Sequence, residues 1–294
     1  MISVSDIVIP IYRKATGDGS LAGPTATTTP TSTTRQRNLG GAFGGGALIG
    51  ALGGLIGLGG AEFRLPLLIG AFRFAALQAV ILNKAMSLVV VAFALPFRAA
   101  AVPFADVAAH WAIAANLLAG SLLGAWLGAG WATRIASHTL YRVIAALLVL
   151  MAFVLLFGHE ASAPDALLTG VSQAVAGVFA GFVIGIVAAL MGVAGGELLI
   201  PTLILLFGID IKLAGSLSLV VSLPTMIVGF ARYSRDRSFV VLGENRRFVL
   251  VMAAGSILGS FIGGQSLDWV PSAILLPLLT VILLASAVKI WRHK

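Results

Sequence analysis

The chain has 294 residues, of which 59% are hydrophobic and only 10% charged, with no cysteine and a formal charge of +8. Soluble domains carry about a quarter charged residues, so a mean hydropathy of +1.04 excludes an ordinary soluble domain and indicates a polytopic membrane protein. The absent cysteines exclude disulfides, thiol catalysis and cysteine metal sites. Basic residues fall mostly between apolar runs, which fits basic loops on one membrane face better than nucleic-acid binding.

Residues 1–38 stand apart: Pro, Thr, Ser and Gly dominate from Thr16 to Thr34, as in the run from Ala26 to Thr34, and nothing there could build a core. The short run Ile7–Tyr12 is too brief for a signal-peptide core and lacks a basic lead-in. This segment reads as a disordered cytoplasmic tail. Beyond it, roughly 20 apolar residues are needed for each helix that crosses a bilayer. Stretches near 40–60, 76–98, 108–131, 138–158, 166–190, 212–231, 247–267 and 271–291 meet that length. Two pieces near 63–73 and 198–208 are too short to cross.

Each short piece follows a glycine-rich break that carries a glutamate: GLGGAEFRLP from Gly57 to Pro66, and GVAGGELLIP from Gly192 to Pro201. At a constant offset of 135 residues, Gly46 matches Gly181, Gly50 matches Gly185, Gly60 matches Gly195, Glu62 matches Glu197 and Pro66 matches Pro201. Interrupted helices at corresponding places in two halves are a sequence pointer to a transporter's substrate site. Backbone unwinds at membrane depth only where protein or a water-filled cavity satisfies its polar groups. The expected architecture is therefore all-α, with two inverted repeats (39–160 and 161–294), each a broken-helix hairpin plus three transmembrane helices.

Charge sets the expected orientation. Arg35, Arg37, Arg73, Arg134, Arg142, the cluster Arg232–Arg247, Lys289, Arg292 and Lys294 fall on one set of connections. The alternate set holds Asp106, Glu160, Asp165, Asp210 and Asp268, with Arg98 and Lys212 as its basic members. Placing the basic set inside puts both termini in the cytoplasm, provided each hairpin returns to the side it entered or crosses twice.

Glu62 and Glu197 are the first candidates for chemistry. An ionisable group at the bilayer centre costs roughly 2.5–3.5 kcal/mol on insertion scales, so two equivalent ones argue for use as a proton or cation site. The competing role is stabilisation of a helix start by the dipole and free amides, with the proline four residues on. Arg64 has Leu199 as its counterpart. A guanidinium beside a hairpin tip suits an oxyanion, and the free amides around Gly59, Gly60 and Ala61 and around Gly195 and Gly196 would add to that preference. The alternative for Arg64 is an internal ion pair with Glu62 or Glu197. Asn83, Lys84 and Ser87 follow in the next helix; Lys84 is expected to snorkel toward the cytoplasmic end rather than line an anion path. Gly215, Ser216 and Ser218 occupy the equivalent region, where SLVVV from Ser87 resembles SLVVS from Ser218. These small hydroxyl residues suit helix packing as well as a ligand.

Gly120, Gly124 and Gly128 form a small-residue ladder for close helix packing. Trp111, Trp131, Trp269 and Trp291 lie near span ends as interfacial anchors. The four histidines fall in loops or termini without metal spacing, and no nucleophile, base or metal cluster lies at depth, so neither a metal, a cofactor nor an enzymatic activity is expected.

At the duplicated glycine cluster with its proline, and at the small-residue helix start AGSLSL from Ala214 to Leu219, residues 39–294 resemble the sulfite exporter TauE/SafE family of bacterial permeases. The resemblance implies a multi-pass inner-membrane carrier of a small sulfur-containing anion such as sulfite or an organosulfonate, often proton-coupled. On that expectation the partners are the anion, a coupling proton and the lipid bilayer. An anion channel, a carrier of another small organic anion or cation, and a non-transporting scaffold are the rivals.

Overall fold

The computed structural model describes residues 38–56, 60–98, 103–157, 166–265 and 272–292. Residues 1–37, which include most of the expected tail, lie outside that set, as do Gly59 and Trp269. The described residues form helices without a strand. They are α1 (Leu39–Ile56), α2 (Ala61–Gly70), α3 (Ala76–Arg98), α4 (Phe104–Ala109), α5 (Trp111–Ala132), α6 (Ser137–Phe157), α7 (Gly170–Met191), α8 (Gly196–Phe207), α9 (Ile211–Tyr233), α10 (Val240–Glu244), α11 (Arg246–Gln265) and α12 (Ser272–Trp291). By length and apolar character, α3, α5, α6, α7, α9 and α11 each contain a segment that could cross a membrane. The fifth helix begins at Trp111 rather than near 108, because the short α4 and the junction at His110 precede it.

The breaks form because glycine supplies backbone that other residues resist. Helix α7 ends at Gly192 in the left-handed region (φ 68°), with the amide of Gly192 on the Ala189 carbonyl and that of Val193 on the Ala188 carbonyl, both at 3.1 Å. That is the glycine C-terminal stop expected of a helix. Gly195, also left-handed at φ 85°, then starts α8. In the first half Gly60 (φ 69°) starts α2 in the same way. Asp210 caps the next helix, its carboxylate accepting from the amides of Lys212 at 2.9 Å and Leu213 at 3.3 Å.

The helices pair across the two halves. Gly120, Gly124 and Gly128 of α5 lie on the backbone of Val178, Phe182 and Ile186 of α7, while Gly181 and Gly185 of α7 lie on Leu117 and Ser121 of α5. A Cβ at Gly124 would overlap the Phe182 carbonyl. The same contacts recur 135 residues away. Gly255, Gly259 and Gly263 of α11 rest on Phe43, Ala47 and Ala51 of α1, and Gly46 and Gly50 of α1 rest on Met252 and Ser256. Each hairpin's long helix is thus clasped by a helix of the other half, through interlocking small residues that let the backbones touch. Helices α6 and α12 also pair with each other, and α3 meets α9 around Val91 and Met226. Large apolar side chains such as Leu123, Phe179 and Phe261 point outward, as a lipid-facing surface requires.

Helix ends gather in two sets. On one, the Ala76 amide donates to the Tyr141 hydroxyl at 3.2 Å, Phe74 packs on Phe248, Gly70 lies under Lys289, and Arg142 sits 5.8 Å from the Trp291 ring. On the other, Gln173 reaches the Leu206 carbonyl and Asn116 the Ala174 carbonyl, at 2.8 and 2.9 Å. Helices α7 and α8 accordingly run out and back, since the end of α8 returns to the start of α7.

Replacing Gly124 with Leu should force α5 off α7 at a cost of several kcal/mol, overpacking being added to lost backbone contact. Leu123→Ala, one residue away on the outward face, should leave the melting temperature in detergent nearly unchanged. A Gly124→Leu protein that purifies monodisperse with unchanged melting would contradict the clasp.

Candidate functional site

Glu62 and Glu197 are the second residues of α2 and α8. The turn at Gly60 and its counterpart at Gly195 bring the two carboxyl groups within hydrogen-bonding reach of each other. One oxygen of each, Oε2, is buried without a hydrogen-bond partner. Neither helix start has a side-chain cap, since glycine occupies both N-cap positions. Pro66 and Pro201 lie inside the helices, in the second turn. Proline has no amide hydrogen, so the carbonyls of Glu62 and Glu197, four residues earlier, lose their helical donor. Each break therefore presents a carboxyl group and a released backbone carbonyl on the same residue.

Arg64 is completely buried. Its Nε donates to Asn83 Oδ1 at 2.9 Å, one terminal nitrogen to Ser87 Oγ at 3.0 Å and the other to Ser256 Oγ at 3.2 Å. No carboxylate among the described residues comes within ion-pair distance of it; neutral dipoles make its hydrogen bonds, while Glu62 attracts it from farther off. A guanidinium has five N–H donors, so two stay uncommitted. Asn83 is the hub: besides accepting from Arg64, its amide nitrogen donates to the carbonyls of Ala61 at 3.0 Å and Met191 at 3.1 Å. One side chain thus ties the start of α2 to the end of α7 in the other half.

Lys84 does not snorkel. It is completely buried, and its Nζ donates to the carbonyls of Ala188 at 3.0 Å and Val193 at 3.2 Å. The end of α7 concentrates unpaired carbonyls and negative partial charge, a stronger attraction than an interface reachable only by leaving these partners. Gly229 of α9 makes the room, since a Cβ there would lie 3.2 Å from the Lys84 Cε.

The second half lacks this polarity. Leu199 replaces Arg64 and Leu219 replaces Lys84, while Ser218 and Ser222 stand where Asn83 and Ser87 do. The structural register is thus the 135-residue offset, which pairs Ser87 with Ser222 rather than with Ser218. Ser218 donates to the Gly215 carbonyl and Ser216 to the Lys212 carbonyl, so each gives its proton to its own helix and keeps its acceptor lone pairs. Ser222 Oγ is buried without a partner. Gly60, Ala61, Gly195 and Gly196 form the turns and first helical residues beneath the two glutamates. Ser256 went unmarked in the sequence, as did its counterpart Ser121, which shares a 2.7 Å hydrogen bond with Thr225. The signal for both was their common 135-residue spacing beside matching glycines. Among the described residues no group of three or more potential ligands could hold a metal ion.

Lys84→Met keeps the length of the side chain but leaves carbonyls at the end of α7 without their donor. Hydrogen bonds from charged groups contribute about 1.5–3 kcal/mol, so this variant should melt markedly lower in detergent. Lys212→Met, on an exposed helix start, should not.

No curated protein matches the chain, and no solved structure does. The family model described as Sulfite exporter TauE/SafE matches residues 42–290. That span takes in both breaks, both glutamates, the Arg64 network and both glycine clasps, so the chain belongs to the sulfite exporter TauE/SafE family of membrane transport proteins.

Proposed function

We propose that the chain is a secondary carrier of a small sulfur-containing anion such as sulfite or an organosulfonate, coupled to a proton. Its two halves are inverted in the inner membrane, with the basic helix ends and both termini in the cytoplasm. Arg64, with Ser87 and the amides at Gly60, Ala61, Gly195 and Gly196, faces the anion; Glu62 and Glu197 together carry the proton.

The observation that supports this most directly is the meeting of the two carboxyl groups from equivalent breaks, each with an oxygen buried and unpartnered. Two carboxylates side by side repel, and one proton shared between them relieves the repulsion. Among the described residues the nearby guanidinium forms no ion pair, so an oxyanion arriving beside it would gain charge-assisted, bidentate hydrogen bonds from the two free N–H groups. The family supplies the sulfur anion as substrate class. The crossed pairing of α1 with α11 and of α5 with α7 supports a two-fold frame whose moving units would each combine helices of both halves.

Thermal stability of the purified protein against sulfite, sulfate, thiosulfate, taurine, sulfoacetate, lactate and chloride tests the anion site, because a ligand of the folded state raises stability by RT ln(1 + [L]/Kd). Stabilisation should be confined to sulfur oxyanions, and Arg64→Leu should weaken it by roughly tenfold or more in affinity. No shift with any anion, in folded protein, would remove the anion site. In proteoliposomes, Glu197→Gln should lower proton-driven flux more than it lowers anion affinity. Equal loss of both would reassign the pair to structure or ligand contact.

A further inference from the structure

We propose that a cleft on the basic face, between the ends of α5 and α9, binds the headgroup of an anionic glycerophospholipid. The cleft has a volume of about 400 Å³ and is lined by Trp126, Leu127, Trp131, Ile186, Arg134 and Arg232, over a floor at Gly128 and Gly130. Arg232 lies across that floor, where a Cβ at Gly130 would come within 3.1 Å of its Nε. The Arg232 guanidinium sits 5.5 Å from the Trp126 ring centre, and Arg235 sits 5.1 Å from the same ring. Two cations on one indole are held in place by its π-face, which leaves their N–H groups free for an anion. No carboxylate among the described residues forms an ion pair with Arg134, Arg232 or Arg235.

The wall is apolar and open. Trp131 and Leu127 are more than half exposed and Trp126 more than a third, so the surface flanking the guanidinium groups continues into the lipid-facing side of α5. A free soluble anion would use the arginines and leave this wall empty. A lipid uses both, with its phosphate on Arg134 and Arg232 and its acyl chains along Leu127 and Ile186. Tryptophans at this level are the usual interfacial companions of such headgroups, and basic pockets between membrane helices on the cytoplasmic side are a known setting for them.

The site also stands apart from the duplicated machinery. At the 135-residue offset Arg232 becomes Phe97, Arg134 becomes Trp269 and Trp126 becomes Phe261. The arginines of the cleft thus occur in one half only, whereas the glycines of the clasps and the glutamates occur in both. Its failure would leave the anion-carrier proposal untouched.

The test is native mass spectrometry of the full chain in detergent, titrated with phosphatidylglycerol, with phosphatidylcholine of the same acyl chains, and separately with inorganic phosphate. Phosphatidylglycerol should bind at least fivefold more tightly than phosphatidylcholine, and inorganic phosphate should not compete at millimolar concentration. The double variant R134Q/R232Q should lose roughly tenfold in affinity for phosphatidylglycerol, while R246Q/R247Q, altered at exposed arginines of the same face, should keep it. If the double variant does not fold, Arg134→Gln alone, on an exposed side chain, carries the comparison. Equal binding of the two lipids, an equal loss in R246Q/R247Q, or displacement by inorganic phosphate would each overturn the proposal.

Discussion

A backbone carbonyl or amide left unpaired in hydrocarbon costs several kcal/mol, and this chain interrupts helices in its buried interior. Much of the buried polarity is spent on that problem. At the end of α7 the Ala188 carbonyl takes the amide of Val193 and the ammonium of Lys84, Ala189 takes Gly192 and the Tyr233 hydroxyl, Met191 takes Asn83, and Val193 takes Lys84. Three of these donors, Lys84, Asn83 and Tyr233, come from helices outside the hairpin. The break therefore exists only while α3 and α9 are packed against it.

The same economy explains why the molecule is symmetric in its skeleton and asymmetric in its polarity. The glycine clasps repeat at both places because close backbone contact depends on shape alone. The cations do not repeat. Arg64 and Lys84 stand against Leu199 and Leu219, so one half reaches across with charge and the other offers carbonyls and hydroxyls. A second buried arginine and lysine would have doubled the desolvation cost of these charges without new partners to offset it.

The breaks, the matched glutamates and the helix ends were legible because each is a local pattern: glycine spacing, a proline at a fixed interval, an apolar run of a given length. The role of Lys84 was not. Its position along α3 fits snorkelling, and the carbonyls that hold it lie 104 and 109 residues away. Ser256, 192 residues from Arg64, looked like a small residue in a small-residue helix. The likeness of SLVVV to SLVVS misled for a related reason. Four similar residues are weak against a register fixed by interlocked glycines on four helices, and that register pairs Asn83 with Ser218. The second glycine ladder, Gly255, Gly259 and Gly263, was present in the sequence as the exact echo of the first, but only the pairing of α1 with α11 gives it a partner.

That crossed pairing bears on how the protein is made. A ribosome adding roughly 5–20 residues per second completes α1 and α2 long before α11 exists. Over the 192 residues that separate Arg64 from Ser256, the wait is on the order of ten to forty seconds. During it the glycine face of α1 has no clasp and the Arg64 guanidinium lacks one of its three hydroxyl and amide acceptors. The early hairpin must therefore be sheltered by the insertion machinery or sit unfinished in lipid until the later helices arrive. Assembly of this fold is in that sense closed from the far end, with the last-made helices completing the first.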